Sequence, residues 1–182
     1  MWLDERVGTF LAHHRLAVFD GLSRGAMAVG TNPIAVLAVA LAGAFYVVRG
    51  RHWRVAIAAV AALVLSTVLA AALKAWIGRP RPPANLALSH VAGPSMPSTH
   101  AARASALAMA VFLVIEWHAP RVRRSAAALL GLAVIAIGGA LVYLGVHWLT
   151  DVLVGWLLGT VVGALSACSV TRGGRARTPA DG

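Results

Sequence analysis

Residues 55–77 read VAIAAVAALVLSTVLAAALKAWI, an apolar run whose one charge, Lys74, stands close to its end. Crossing the hydrocarbon core of a bilayer takes about 20 such residues in a helix. Comparable segments lie at Asn32–Val48, Ser98–Trp117, Ser125–Val146 and Trp148–Val170, the first of them short. Of the 182 residues 59% are hydrophobic and only 12% charged, against roughly 25% charged in soluble domains. A soluble protein could not hide so much apolar surface. The sequence therefore predicts an all-α integral membrane bundle with five or six transmembrane helices.

The uncertainty of one in that number lies in residues 9–30. There His13, His14, Arg15, Asp20 and Arg24 interleave with Phe10, Leu11, Leu16, Phe19 and Leu22. Such a segment is either an amphipathic helix lying in the interface or a marginal sixth span. The interfacial reading is favoured, because an Arg or Asp near the bilayer centre costs about 2.5–3.5 kcal/mol. The chain then divides into an amphipathic N-terminal segment (1–31), a transmembrane domain (32–170) and a basic tail (171–182) expected to be disordered.

Charge placement sets orientation. Arg49, Arg51 and Arg54, then Arg121, Arg123 and Arg124, then Arg172, Arg175 and Arg177 all fall on one side if five spans are real. The positive-inside rule makes that side, with the C-terminus, cytoplasmic, which suits the plasma membrane. The net charge of +10 comes from these short clusters, and no basic stripe suited to nucleic acid is present. The single cysteine, Cys168, excludes a disulfide framework and a cysteine-based metal site. No secretory signal is evident, since Asp4, Glu5 and Arg6 stand where a basic n-region and an apolar core would be. The abundance of Ala, Gly and Arg fits a GC-rich bacterial genome.

The outer side breaks the charge rule, and polar residues inside membranes commonly mark function. Lys74, Arg79 and Arg81 sit in KAWIGRPRP; alone they read as cations snorkelling at a helix end. Ser98, Thr99 and His100 follow Pro97 in PSTH; alone they read as a helix cap. A helix N-terminus is also an anion site, since its free N–H groups and dipole favour phosphate. In HWLTD, His147 and Asp151 are four apart and share a helix face. The carboxylate can orient one imidazole nitrogen and leave the other as a nucleophile, although a self-satisfied structural pair has the same spacing. No further ligands have metal-binding spacing, so no metal ion and no cofactor are expected. Converging from three parts of the chain, these clusters describe a pocket for a phosphate ester.

Together they resemble the three-part signature of the type 2 phosphatidic acid phosphatase family, over roughly residues 10–170. Lys74, Arg81 and Pro82 match its Lys, six residues, Arg-Pro motif. Pro97, Ser98 and His100 match Pro-Ser-Gly-His, with Thr99 in the glycine's place. His147 and Asp151 match the second half of Ser-Arg, five residues, His, three residues, Asp. The resemblance implies a metal-independent membrane phosphatase acting on a lipid phosphate or diphosphate. It makes His147 the nucleophile, Asp151 its orienter and His100 the proton donor, with Lys74, Arg81, Ser98 and Thr99 holding phosphate. The same signature occurs in vanadium haloperoxidases, but the spans argue against that chemistry.

One departure stands out. The Ser-Arg pair falls on Ala140 and Leu141, which removes a cation that holds phosphate in the family. Arg103, three residues after His100, is the candidate replacement, with Arg79 second. The alternative is a degenerate member that binds a lipid phosphate in the bilayer without turning it over. A carrier or flippase has less support, because no inverted repeat is visible.

Overall fold

The computed structural model describes residues 2–31, 49–50 and 52–175. The expected span Asn32–Val48, Arg51, Arg177 and the tail from 176 lie outside the described residues. Among those described, the chain is all-helical. The helices are α1 (Trp2–His13), α2 (Ala17–Thr31), α3 (Trp53–Ile77), α4 (Thr99–Val114), α5 (Pro120–Tyr143) and α6 (Leu149–Arg175), with a 3-10 turn at Ala84–Leu86.

Among the described residues, three helices are long and apolar enough to cross a membrane: Trp53–Ile77, Pro120–Tyr143 and, within α6, Leu149–Thr171. The segment expected at Ser98–Trp117 is shorter. Ser98 caps α4, Ile115 leaves helical geometry, and the helix has 16 residues, a length of about 24 Å at 1.5 Å per residue. At the other end α6 runs to Arg175, beyond the limit at 170 expected for the membrane domain.

The N-terminal segment also departs from expectation, because residues 9–30 do not form one helix. The chain leaves α1 at His14, whose Nδ1 lies 2.8 Å from Phe10 O and whose ring stacks on Phe10. Arg15 then donates to Leu86 O at 2.7 Å, and Leu16 N–H donates to the Tyr143 hydroxyl at 3.0 Å. A backbone donor and a side chain that would otherwise sit on a continuous helix are taken by distant partners, and α2 starts afresh at Ala17.

The helix termini follow from local sequence. Gly78 closes α3 in the left-handed region and returns its N–H to Lys74 O. Pro120 starts α5 at a position where its missing N–H costs nothing.

Small residues face inward and large ones outward. Ala58, Ala62, Ser66 and Ala70 form the buried stripe of α3, and Ala58 and Ala62 cluster with Ala106 and Ala110 of α4. On α6 a Cβ at Gly155, Gly159 or Gly163 would come within 3.0 Å of Ser98 O, Ala102 O or Ala106 O respectively. These glycines let α4 and α6 meet backbone to backbone, the small-residue packing of membrane helices. Leu153, Leu157, Val161 and Leu165 are exposed; each is two residues out of step with a glycine, so about 200° around the helix. That outer surface is suited to lipid. Ser105 and Ser166 bond to carbonyls of their own helices at 2.9 and 2.8 Å, as hydroxyls in a dry interior must.

Candidate active site

The C-terminus of α3, the loop after it, the N-terminus of α4 and the α5–α6 turn meet at one end of the bundle. The turn depends on Gly145, which has φ 68° and lies against the backbone of Leu86 and Ala87, where a Cβ would collide. Val146 N–H and His147 N–H both donate to Leu141 O, at 3.2 and 3.3 Å. That pair of bonds fixes the backbone beneath His147. Across the gap, Ser98 N–H donates to Asp151 O at 2.9 Å and ties the two histidine-bearing segments together.

Asp151 is fully buried and His147 is 4% exposed. Asp151 Oδ2 accepts the Trp148 N–H at 2.8 Å, the reciprocal bond of a capping box at the start of α6. The same oxygen lies 3.5 Å from His147 Nδ1. On the far side of the ring, Arg81 Nη1 stands 3.5 Å from Nε2. A guanidinium can only donate, so Nε2 is the nitrogen with the lone pair and the ring proton belongs on Nδ1, facing Asp151. Burial, then the Arg81 and Lys74 cations, hold the His147 imidazole below the ordinary histidine range against the pull of Asp151. The ring is thus neutral at neutral pH, the form required of a nucleophile.

The expected cations are here. Lys74 Nζ donates to Pro94 O at 2.8 Å and approaches Ser95 O at 3.4 Å. Arg81 donates through Nε to Gly93 O at 3.0 Å and through Nη1 to Val146 O at 2.5 Å. Both side chains thereby brace the 93–95 strap and face His147. Burial lowers the pKa of Arg81, with Asp151 opposing.

At α4, Ser98 is fully buried and its oxygen accepts the Ala101 N–H at 3.4 Å. Ser98 is therefore a cap and a bridge. The N–H groups of Thr99 and His100 have no acceptor within the helix, which leaves them for an anion. His100 is within electrostatic reach of His147, Arg103, Lys74 and Arg81.

Leu141, at the departure from the family signature, is 4% exposed and packs with Ala101, Val142, Leu144, Val146 and Val152. Beside it lies a cavity of about 310 Å³ between α4 and α5, lined by His100, Arg103, Ala104, Leu107, Ala140 and Leu141 among others. Arg103 reaches across to α3, where its Nε donates to Thr67 Oγ1 at 2.7 Å.

Arg79, the second candidate for the missing cation, is committed elsewhere. Its Nη1 donates to Asp151 Oδ1 at 2.7 Å and Thr150 Oγ1 at 2.6 Å, and its Nη2 to Asp4 Oδ2 at 2.6 Å. Asp4 and Thr150 were not expected at the site. Nothing in the sequence sets Asp4 apart from its neighbours Glu5 and Arg6. Among the described residues, no group of three or more His, Cys, Asp or Glu is arranged to hold a metal ion.

Fold and site together define an apolar helical bundle with a histidine–aspartate pair and cations gathered at one end. The chain belongs to the PAP2 superfamily, whose family model matches residues 55–175. Among solved structures, it is similar to the first transmembrane PAP2-type phosphatidylglycerolphosphate phosphatase from Bacillus subtilis. The two are 23% identical with a TM-score of 0.78, over 98% of this chain and 87% of that one. It is also similar to Aquifex aeolicus LpxE, at 25% identity and a TM-score of 0.73, over 90% of this chain and 94% of that one. No curated protein sequence matches significantly.

Proposed function

We propose that the protein is a membrane lipid phosphatase. It hydrolyses a phosphomonoester or diphosphate of a lipid on the extracytoplasmic face of the plasma membrane, without a metal ion and through a phosphohistidine. Family membership supports the class of reaction. The observation that carries the chemistry is the buried His147, with Nδ1 turned to Asp151 and Nε2 to Arg81.

In the first step Nε2 of His147 attacks phosphorus, the N–P bond forms and the ester P–O bond breaks. The proton for the departing oxygen comes from His100. Water then gives a proton to His100 as its oxygen attacks phosphorus, the N–P bond breaks, and inorganic phosphate leaves. Asp151 balances the imidazolium formed in between. Lys74, Arg81, Thr99 and the N–H groups at the start of α4 hold the phosphoryl oxygens, with Ser98 keeping that helix end in place.

Arg103 supplies the cation lost at Leu141. It borders the same cavity, and Thr67 on α3 engages its Nε, so its two terminal nitrogens are not used by that bond. The apolar cavity beyond His100 then receives the chain of the leaving group. Polyprenyl diphosphates, polyprenyl-linked sugar phosphates and phosphatidyl phosphates all fit this description. In this reading residues 32–170 form the phosphatase domain with five or six spans, residues 1–31 lie at the interface, and the 171–182 tail is cytoplasmic.

The test is a panel of these lipid phosphates assayed for phosphate release in EDTA with the purified chain. Release from at least one is expected; binding without release from any of them would instead favour the degenerate binder, whose best support is the buried, apolar Leu141. The compensation is checked by Arg103→Ala, expected to lower kcat/KM by about 10²-fold, the usual worth of one transition-state contact. Leu141→Arg in that background is expected to restore part of the loss. A silent Arg103→Ala removes Arg103 from the site.

A further inference from the structure

Asp4 belongs to none of the three motifs, yet it is 3% exposed and accepts three hydrogen bonds. Its Oδ1 takes the Thr150 N–H at 2.9 Å, and its Oδ2 takes the Thr150 hydroxyl at 2.7 Å and Arg79 Nη2 at 2.6 Å. Arg79 continues the chain to Asp151, and Asp151 to His147. Four side chains from α1, the α3–α4 loop, the α5–α6 turn and α6 thus form one line, Asp4–Arg79–Asp151–His147.

The charges along that line matter more than the bonds. Arg79 carries one positive charge and pairs with two buried carboxylates. The cluster of three is therefore net negative by one charge. When Nε2 of His147 takes the phosphoryl group and Nδ1 keeps its proton, the ring becomes an imidazolium, and that surplus balances it. Without the Asp4 carboxylate, Arg79 and Asp151 are a neutral pair, and no net negative charge remains beside the imidazolium to offset Lys74 and Arg81.

We infer that Asp4 is a positioning residue for the reaction: shared possession of Arg79 leaves Asp151 free to serve His147, so α1 is part of the active centre. This inference rests on the proposed phosphatase reading. It also accounts for the form of Asp4. Burial pushes its carboxyl up, but the Thr150 and Arg79 hydrogen bonds outweigh that and hold it below the ordinary carboxylate range. The group is anionic across the working pH.

Asp4→Asn is the informative variant, because it keeps the shape and can still accept from Thr150 while losing the charge. The groups facing His147 are Asp151 on α6, Lys74 on α3, Arg81 in the following loop and His100 on α4. Arg79 and Asp4 stand behind Asp151. Removing a negative charge disfavours the protonated ring, so the His147 titration, followed by NMR of the labelled full chain in detergent, is expected to move to lower pH. On a lipid phosphate, kcat is expected to fall about tenfold, the lower end for residues that orient a reacting group through an intermediary, with KM unchanged. The acid limb of the rate profile moves with the titration, and Asp4→Glu restores part of kcat.

An unmoved titration with unchanged kcat overturns the inference. So does a drop in thermal stability with the titration unmoved, which would make Asp4 only a dock for α1. If the wild-type chain releases no phosphate, the proposed reaction falls, while the titration still decides the place of Asp4.

Discussion

Alanine at position 147 is expected to abolish phosphate release, with kcat falling on the order of 10⁴-fold or more, as when the nucleophile of a catalytic triad is removed. The fold is expected to survive. His147 makes no short hydrogen bond through its ring: Nδ1 is 3.5 Å from Asp151 and Nε2 is 3.5 Å from Arg81. Both neighbours keep closer partners, Trp148 N–H for Asp151 and Val146 O for Arg81. The loss therefore reports on chemistry, and unchanged thermal unfolding in detergent is the control. A phosphoenzyme trapped from labelled lipid phosphate should vanish in this variant. Retention of full activity would assign the attack to another group.

The second large effect belongs to Arg79. Its replacement by alanine leaves Asp4 and Asp151 buried, with side chains 2% and 0% exposed, and without a counter-ion. Breaking a buried pair in this way costs about 3–5 kcal/mol. Thermal unfolding should register that loss and activity should disappear with it. Protonation relieves a buried carboxylate that has lost its counter-ion, so the variant should recover stability as pH is lowered. Wild-type protein should do the opposite. The Asp4 carboxyl is held below its ordinary value in the fold, so its contribution is present above the unfolded value and is lost as pH falls through the folded one. An Arg79→Ala protein as stable as wild type, or one with the same acid response, would contradict the network.

The apolar helices were legible because hydropathy is a local property, read over about 20 residues at a time. Trp53–Ile77 and Pro120–Tyr143 emerge within a few residues of their expected limits. The break between α1 and α2 was not legible, because its cause is remote: the partner of Arg15 is 71 residues away and that of Leu16 is 127 away. The site divides in the same way. Lys74, Arg81, His100, His147 and Asp151 announce themselves by spacing within short motifs. Asp4 and Arg79 are 75 residues apart and share no motif, so only the folded chain brings them together. The loss of an arginine at Leu141 was visible in the sequence. That the vacated position would be a buried apolar wall, with Arg103 anchored across the cavity on Thr67, depended on three helices packing together.

The glycine seam between α4 and α6 has a consequence for motion. Packed helices slide past one another by exchanging side-chain rotamers at their interface. Gly155, Gly159 and Gly163 offer no rotamers to exchange and lie directly on the backbone of α4. His100 stands in the first turn of α4, and His147 two residues before the start of α6. Under the proposed phosphatase reading, this seam fixes the helix ends next to both histidines, and so favours a constant distance between attacker and proton donor. The opposite wall is of another kind, since there α2 meets α5 through the polar latch of Tyr143 with Asp20 and Leu16. Met27 of α2 and Ile137 and Ala140 of α5 line the cavity that His100 borders, so the wall closed by a polar latch, and not the glycine seam, is the one beside that cavity.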